Sequence, residues 1–142
     1  PKKNYKKTKN NKRIFKLKIM KLEIKHLASY LPYDLKGIFL NSIITLSVNT
    51  FTKGRERGYD ISAFLSNNIK PILFPLSQFV KFTFSEEVEE CLLNYSADFI
   101  LNQTNRLPYF IIQEFLSNKI DVFGLIEAGL AEPVTEDFNP YK

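Results

Sequence analysis

From Leu107 to Pro133 the chain reads LPYFIIQEFLSNKIDVFGLIEAGLAEP, its densest apolar stretch. Ile111, Ile112, Phe115 and Leu116 recur at three- and four-residue spacing behind Pro108, whose missing N–H suits a first helical turn, so the pattern predicts a helix with one buried stripe. Ser117-Asn118-Lys119 interrupts it. The carboxylate of Asp121 is placed to cap a second short helix, in which Val122, Ile126 and Leu130 fall four apart and Gly129 ends the turn. Gly124 falls inside that helix, where glycine costs about 1 kcal/mol against alanine, which predicts another backbone packed closely against it.

Upstream, Thr83 to Glu86 fits a capping box, with Ser85 as an alternative cap. The helix that follows carries Val88, Cys91, Leu92, Tyr95 and Phe99 on one face and has Glu86, Glu87, Glu89 and Glu90 in its first turn, where the helix dipole favours them. The first half reads differently. LKGIFLNSIITLSVNTFT is rich in β-branched and aromatic residues, with a break at Asn41-Ser42, predicting a hairpin of residues 35–40 and 43–51. Ile44, Leu46 and Val48 alternate with Ile43, Thr45 and Ser47, so one face should be buried. Residues 14–21 alternate apolar and basic as a strand does, and Leu22, Ile24, Leu27 and Leu31 fit a helical stripe ending at the turn around Pro32. Pro71 and Pro75 punctuate IKPILFPLS, which is expected at a sheet edge or as a packed extended segment because a central strand needs its N–H groups.

The predicted fold class is therefore α+β: a small antiparallel sheet or hairpin in the first half, packed against C-terminal helices. Residues 20–133 are expected as one domain, with 134–142 as a flexible tail. Residues 1–19 read either as a disordered basic arm or as an upstream extension translated from AT-rich DNA, Met20 being the only methionine.

Charge divides the chain. The net +5 combines +10 in residues 1–25 with −5 in the remainder, and residues 85–137 hold eleven acids against Arg106 and Lys119. That C-terminal part should repel phosphate backbones, while the arm should attract them. Candidate nucleic-acid contacts are Lys2, Lys3, Lys6, Lys7, Lys9, Lys12 and Arg13 in the arm, with Lys53, Arg55 and Arg57 in the glycine-flanked loop KGRERGYD. Asp121, Phe123, Gly124 and Glu127 are the candidate protein-partner surface, facing an unknown protein or a second copy.

The chemistry-bearing residues are sparse. His26 is the only histidine, so it reads as surface or structural rather than as a zinc ligand or catalyst. Cys91 cannot form an internal disulfide, and four nearby carboxylates disfavour its thiolate, so it reads as core. The five glycines form no phosphate-binding loop, and the two Asn-X-Ser/Thr triplets at Asn94 and Asn102 fall in or beside a predicted helix, so both read as chance matches. No catalytic residue, metal or cofactor is expected, nor a membrane span, and the reading is a non-enzymatic protein of the cytoplasm.

Three segments, MKLEIKHLASYLPYDLK (20–36), IKPILFPLSQF (69–79) and KIDVFGLIEAGLAE (119–132), stand in this order. Together they resemble small uncharacterised proteins encoded by phages and prophages of gut anaerobic bacteria, which carry HLAPYLPYGLK-, KPILRPLSDL- and FDVFGLIEKGLA-like segments. The resemblance covers about a third of the chain and implies Met20 as the natural start and a phage or mobile-element setting. Ser29, Asp34, Phe74 and Gln78 depart from the usual proline, glycine, arginine and aspartate. That group has no assigned activity, so no residue here inherits a role. The expected function is an accessory protein that binds a protein partner; the alternatives are a nucleic-acid-binding module using the arm, and a small enzyme whose site would need His26 beside a buried carboxylate.

Overall fold

The structure, a computed structural model, describes residues 21–47, 61–66 and 68–142. It is α+β, with the sheet built mostly from the first half and helices following. Helix α1 (Ile24–Ala28) leads through a 3-10 turn at Leu31–Tyr33 into strands β1 (Leu35–Phe39) and β2 (Ser42–Leu46). Next come α2 (Ile61–Ser66), β3 (Lys70–Leu73), a 3-10 helix at Leu76–Lys81, then α3 (Glu86–Leu92), α4 (Ala97–Asn102), α5 (Tyr109–Ser117) and the two-residue β4 (Glu132–Pro133).

The strand order is β2-β1-β3-β4. Strands β1 and β2 form the expected hairpin, antiparallel from Leu35↔Leu46 to Phe39↔Ser42. Its turn is Leu40-Asn41, both at positive φ (49° and 64°), as a tight two-residue hairpin requires. The predicted strand residues 48–51, residues 14–20 of the predicted strand 14–21 and loop 53–60 lie outside the described residues. In the first helix the expected stripe is only partly realised: Leu27 is buried but Ile24 is exposed, and Tyr30 takes the inward place.

Pro71 stands neither at a sheet edge nor in an unpaired extended segment, the two places expected for it, since β3 lies between β1 and β4. Three features make that tolerable. Pro71 pairs with Gly37, which presents no side chain; a Cβ on Gly37 would come within 3.2 Å of the Lys70 carbonyl oxygen. The parallel ladder to β4 starts only at Ile72. Between β1 and β3, moreover, direct pairing stops at Gly37↔Pro71, and the next step is spanned by the Tyr141 hydroxyl, which accepts from the Lys36 N–H (2.8 Å) and donates to the Ile72 carbonyl (2.7 Å).

That contact also overturns the frayed tail expected after Pro133. Val134 is buried and its N–H donates to the Leu73 carbonyl. The Tyr141 ring lies 5.8 Å from Phe74 and 5.2 Å from the Lys119 ammonium. A tyrosine that satisfies two backbone groups in the gap between strands cannot be read from a short tail without apolar periodicity.

The predicted helix after Pro108 is α5, with Ile111, Phe115 and Leu116 buried. It ends where Lys119, at φ 57°, lets its N–H reach the Leu116 carbonyl and the Ile120 N–H reach that of Phe115, a closure that usually employs glycine. The long helix expected from Glu86 to Phe99 is instead two. Ser85 caps α3 by accepting from the Val88 N–H, and Ser96 caps α4 by accepting from the Phe99 N–H. Ser96 competes successfully because its side chain serves a new helix start better than the interior of an old one.

Apolar side chains gather in two clusters that meet along α5. One packs Leu27, Tyr30, Leu35, Leu46, Phe64, Leu73, Leu116 and Leu125 around the sheet; the other packs Phe79, Phe84, Val88, Leu92, Ile100, Ile111 and Phe115 among the helices.

Candidate functional site

The four candidate partner residues come together. Asp121, Phe123, Gly124 and Glu127 line one groove of about 530 Å³, closed on the other side by Pro75, Leu76 and the end of α4. Its wall is not the predicted second helix. Gly124 (φ 73°) and Gly129 (φ 76°) bracket four residues, room for one helical turn, in which the Ala128 N–H reaches the Gly124 carbonyl. Gly129 ends this turn as expected: its N–H bonds the Ile126 carbonyl and the next N–H, of Leu130, bonds that of Leu125. Gly124 does not admit a neighbouring backbone, because nothing lies within 4 Å of where its Cβ would be. It is there for its positive φ, which L side chains rarely adopt.

Asp121 acts as the predicted cap, and for that reason is unavailable as a contact residue. It is 4% exposed, and its two carboxylate oxygens accept from the Leu125 and Ile126 N–H groups, both at 2.9 Å. Burial raises its pKa, opposed by backbone N–H groups of residues 123–126. Phe123 is half-buried, its ring set edge-on to His26 at 5.2 Å and to Tyr30 at 6.1 Å. Only Glu127 of the four is exposed.

His26 is structural, as one of its expected readings had it, and buried rather than on the surface. Its Nδ1 accepts from the Glu23 N–H at 3.0 Å, and burial lowers its pKa, so near neutral pH the ring is uncharged with its proton on Nε2. The histidine and the buried carboxylate are therefore near enough to sense each other, but each is engaged in holding backbone, and His26 does not line the groove that Asp121 borders. Tyr30 is fully buried and was not foreseen as a site residue. Its hydroxyl donates to the Ile120 carbonyl (2.6 Å) and accepts from the Val122 N–H (3.2 Å), fixing the chain on either side of Asp121, and burial raises its pKa strongly.

A second groove, of about 320 Å³, lies where α4 and the 3-10 helix 76–81 meet the end of α3. Phe79, Phe82, Phe84, Leu92 and Ile100 form its apolar lining. Among the described residues Glu89 is the only charged one there, and its Oε1 accepts from the Phe84 N–H at 3.0 Å. Two large apolar residues stand at this groove in water: Val80 is 70% exposed and Leu93 86%. Sequence reasoning missed both. The available signal was Leu93 itself, an apolar residue off the stripe that Val88, Cys91 and Leu92 share. Leu101, 39% exposed, lines the first groove. A third cleft, beside Leu65, Ile69 and Leu130, borders Lys21, where the described residues begin.

The basic candidates of the arm and of residues 53–57 all lie outside the described residues. Among the described residues no group of three His, Cys, Asp or Glu side chains is placed to hold a metal, and no helix is long and apolar enough to cross a membrane. Cys91 is half-buried against the helical cluster. Comparisons with protein-family models, with curated proteins and with solved structures found no match for this chain.

Proposed function

We propose that this chain is a non-enzymatic accessory protein of a phage or other mobile element, working in the bacterial cytoplasm by binding a protein partner. The observation that carries the reading is the exposure of Val80 and Leu93 on the rim of an apolar groove. Single exposed apolar residues are ordinary, but two at one groove, with a floor of rings, form the kind of contiguous patch that marks interaction surfaces. Support for the setting comes from the resemblance of the three segments. At position 34, where the resembling proteins carry glycine, the backbone has φ 54°, a conformation glycine takes freely and aspartate tolerates.

The test is affinity capture from lysogenic cells with the tagged full chain and with a Val80→Asp/Leu93→Asp double variant of equal melting temperature. A partner held by the first and lost by the second supports the reading. A partner held equally by both places binding elsewhere and removes this face from consideration. The charge of residues 1–25 favours one second reading, a sequence-blind attachment of the arm to nucleic acid. DNA or RNA binding at low salt, abolished by removing residues 1–19, would identify it.

A further inference from the structure

Resting on that protein-binding reading, we infer the chemistry of the partner: a basic amphipathic segment that seats apolar side chains in the Val80–Leu93 groove and lays Lys or Arg along its rim. The lining makes the first demand. An opening of about 320 Å³ floored by Phe79, Phe82, Phe84 and Ile100 accepts apolar side chains rather than a folded element. Glu89, the one acidic side chain among its described lining residues, is tied to the Phe84 N–H and offers little to a polar ligand.

The surroundings make the second. Residues 82–105 contain no Lys, Arg or His, and they carry Glu86, Glu87, Glu89, Glu90 and Asp98. Glu86, Glu87, Glu90 and Asp98 are all exposed. Lys81 is the only cation beside the groove in sequence. With five acids to this one lysine the surroundings are net negative, and such a field around an apolar centre steers partners of the opposite sign and disfavours those of the same sign. A second copy docking face to face would set these carboxylates against their own counterparts, so the occupant is a different molecule with positive flanks.

The probe is a short fluorescent helical peptide of leucine and lysine, apolar on one side, with a leucine–glutamate peptide as its counterpart, titrated against the full chain and followed by anisotropy. The expected result is binding of the lysine peptide only, weakened by salt, and weakened about tenfold or more by Leu93→Asp, as truncating an interface anchor does. Leu93→Asp adds negative charge, so a contact made by charge alone would be kept or strengthened; that result overturns the inference, as does binding of both peptides or of neither. Sedimentation gives a further arm: a dimer dissociated by Leu93→Asp would make a second copy the occupant and also overturn it. If the capture experiment instead yields an acidic partner lost on the same substitution, protein binding stands and the basic partner falls.

Discussion

The two apolar clusters share α5, with Leu116 in one and Ile111 and Phe115 in the other, yet they are closed by different means. The sheet-side cluster is fastened by directional bonds. Tyr30 holds Val122 and ties in Ile120 of the helical cluster, Asp121 holds Leu125 and Ile126, and Tyr141 spans Lys36 and Ile72. The helical cluster, where Glu89 accepts from the Phe84 N–H and Thr104 donates to the Ile100 carbonyl, is packed mainly by rings: Phe115 lies 6.0 Å from Phe79 and 5.2 Å from Phe84, and Tyr95 stacks on Phe99. Bonds to buried backbone fix each element in one place and seal the region around them, whereas ring packing is less directional and leaves an apolar margin where it runs out. Ile24, Leu40 and Ile43 are exposed on the sheet side, but they line none of the described grooves. Val80 and Leu93 stand at that margin.

The strongest break of this contrast is Phe115→Ala. Phe115 is fully buried and touches both Phe79 and Phe84, so its loss leaves a cavity that rings cannot collapse to fill. A destabilisation of about 3–5 kcal/mol is expected in urea denaturation, and a loss below that range would show the ring cluster to be loosely packed. On the sheet side Tyr30→Phe keeps the ring but strands the Ile120 carbonyl and the Val122 N–H, which predicts a cost of about 1–3 kcal/mol. A phenylalanine variant as stable as the parent would mean that water replaces the hydroxyl, and that the seal is made by shape alone.

Gly124 separates two explanations of the turn that Asp121 caps. At φ 73°, with open space around the absent Cβ, its role is conformational. Gly124→Ala and Gly124→Leu should then cost the same, about 1–2 kcal/mol each, because both force an L residue into the left-handed region. A much larger cost for leucine, measured by thermal unfolding, would restore close packing as the reason.

Tyr141 gives the sheet-side bonds a pH signature. Burial pushes its hydroxyl pKa up to about 12 from an ordinary 10, so the unfolded chain releases this proton first as pH rises. Its contribution is complete below pH 10 and is lost through pH 12, since a phenolate cannot donate to the Ile72 carbonyl. Tyr141→Phe should lose about 1 kcal/mol below pH 10, and the gap to the parent should narrow toward pH 12. A gap constant across that range would exclude ionisation of this tyrosine as its source. His26 acts at the other end: with its folded pKa lowered, stability is full above the ordinary 6.5 and falls as pH drops below it.

These residues also show what could be read in the chain before its structure. The hairpin, α5, the Ser85 cap, the Asp121 cap and the Gly129 closure each follow from a local rule, and each is present. Where a local rule met a long-range partner it failed. Pro71 is central because Gly37 and Tyr141, distant in sequence, accommodate it; the residues after Asp121 make one turn because two glycines at positive φ bracket them; the tail is fixed by Val134 against Leu73 and by the Tyr141 hydroxyl and ring. The grouping of Asp121, Phe123, Gly124 and Glu127 around one groove was legible from their proximity in sequence. That Asp121 faces inward was not, since an aspartate that caps a turn is read alike whether that turn is exposed or buried.

The smallest expected effect tests the contrast most directly. Leu93 closes α3 as its C-cap residue with ordinary helical backbone, φ −61°, and with its side chain 86% in water, so folding buries almost none of it. Leu93→Ser should therefore leave stability within about 0.5 kcal/mol of the parent, as surface substitutions do. The same change at the neighbouring Leu92, 8% exposed and inside the ring cluster, removes a buried apolar side chain and places an unpartnered hydroxyl there, and should cost several times more. Equal effects at the two positions would mean that Leu93 packs against the body in solution. Unequal ones would show that folding does not require its exposed apolar surface, leaving that surface to be explained by what the protein meets.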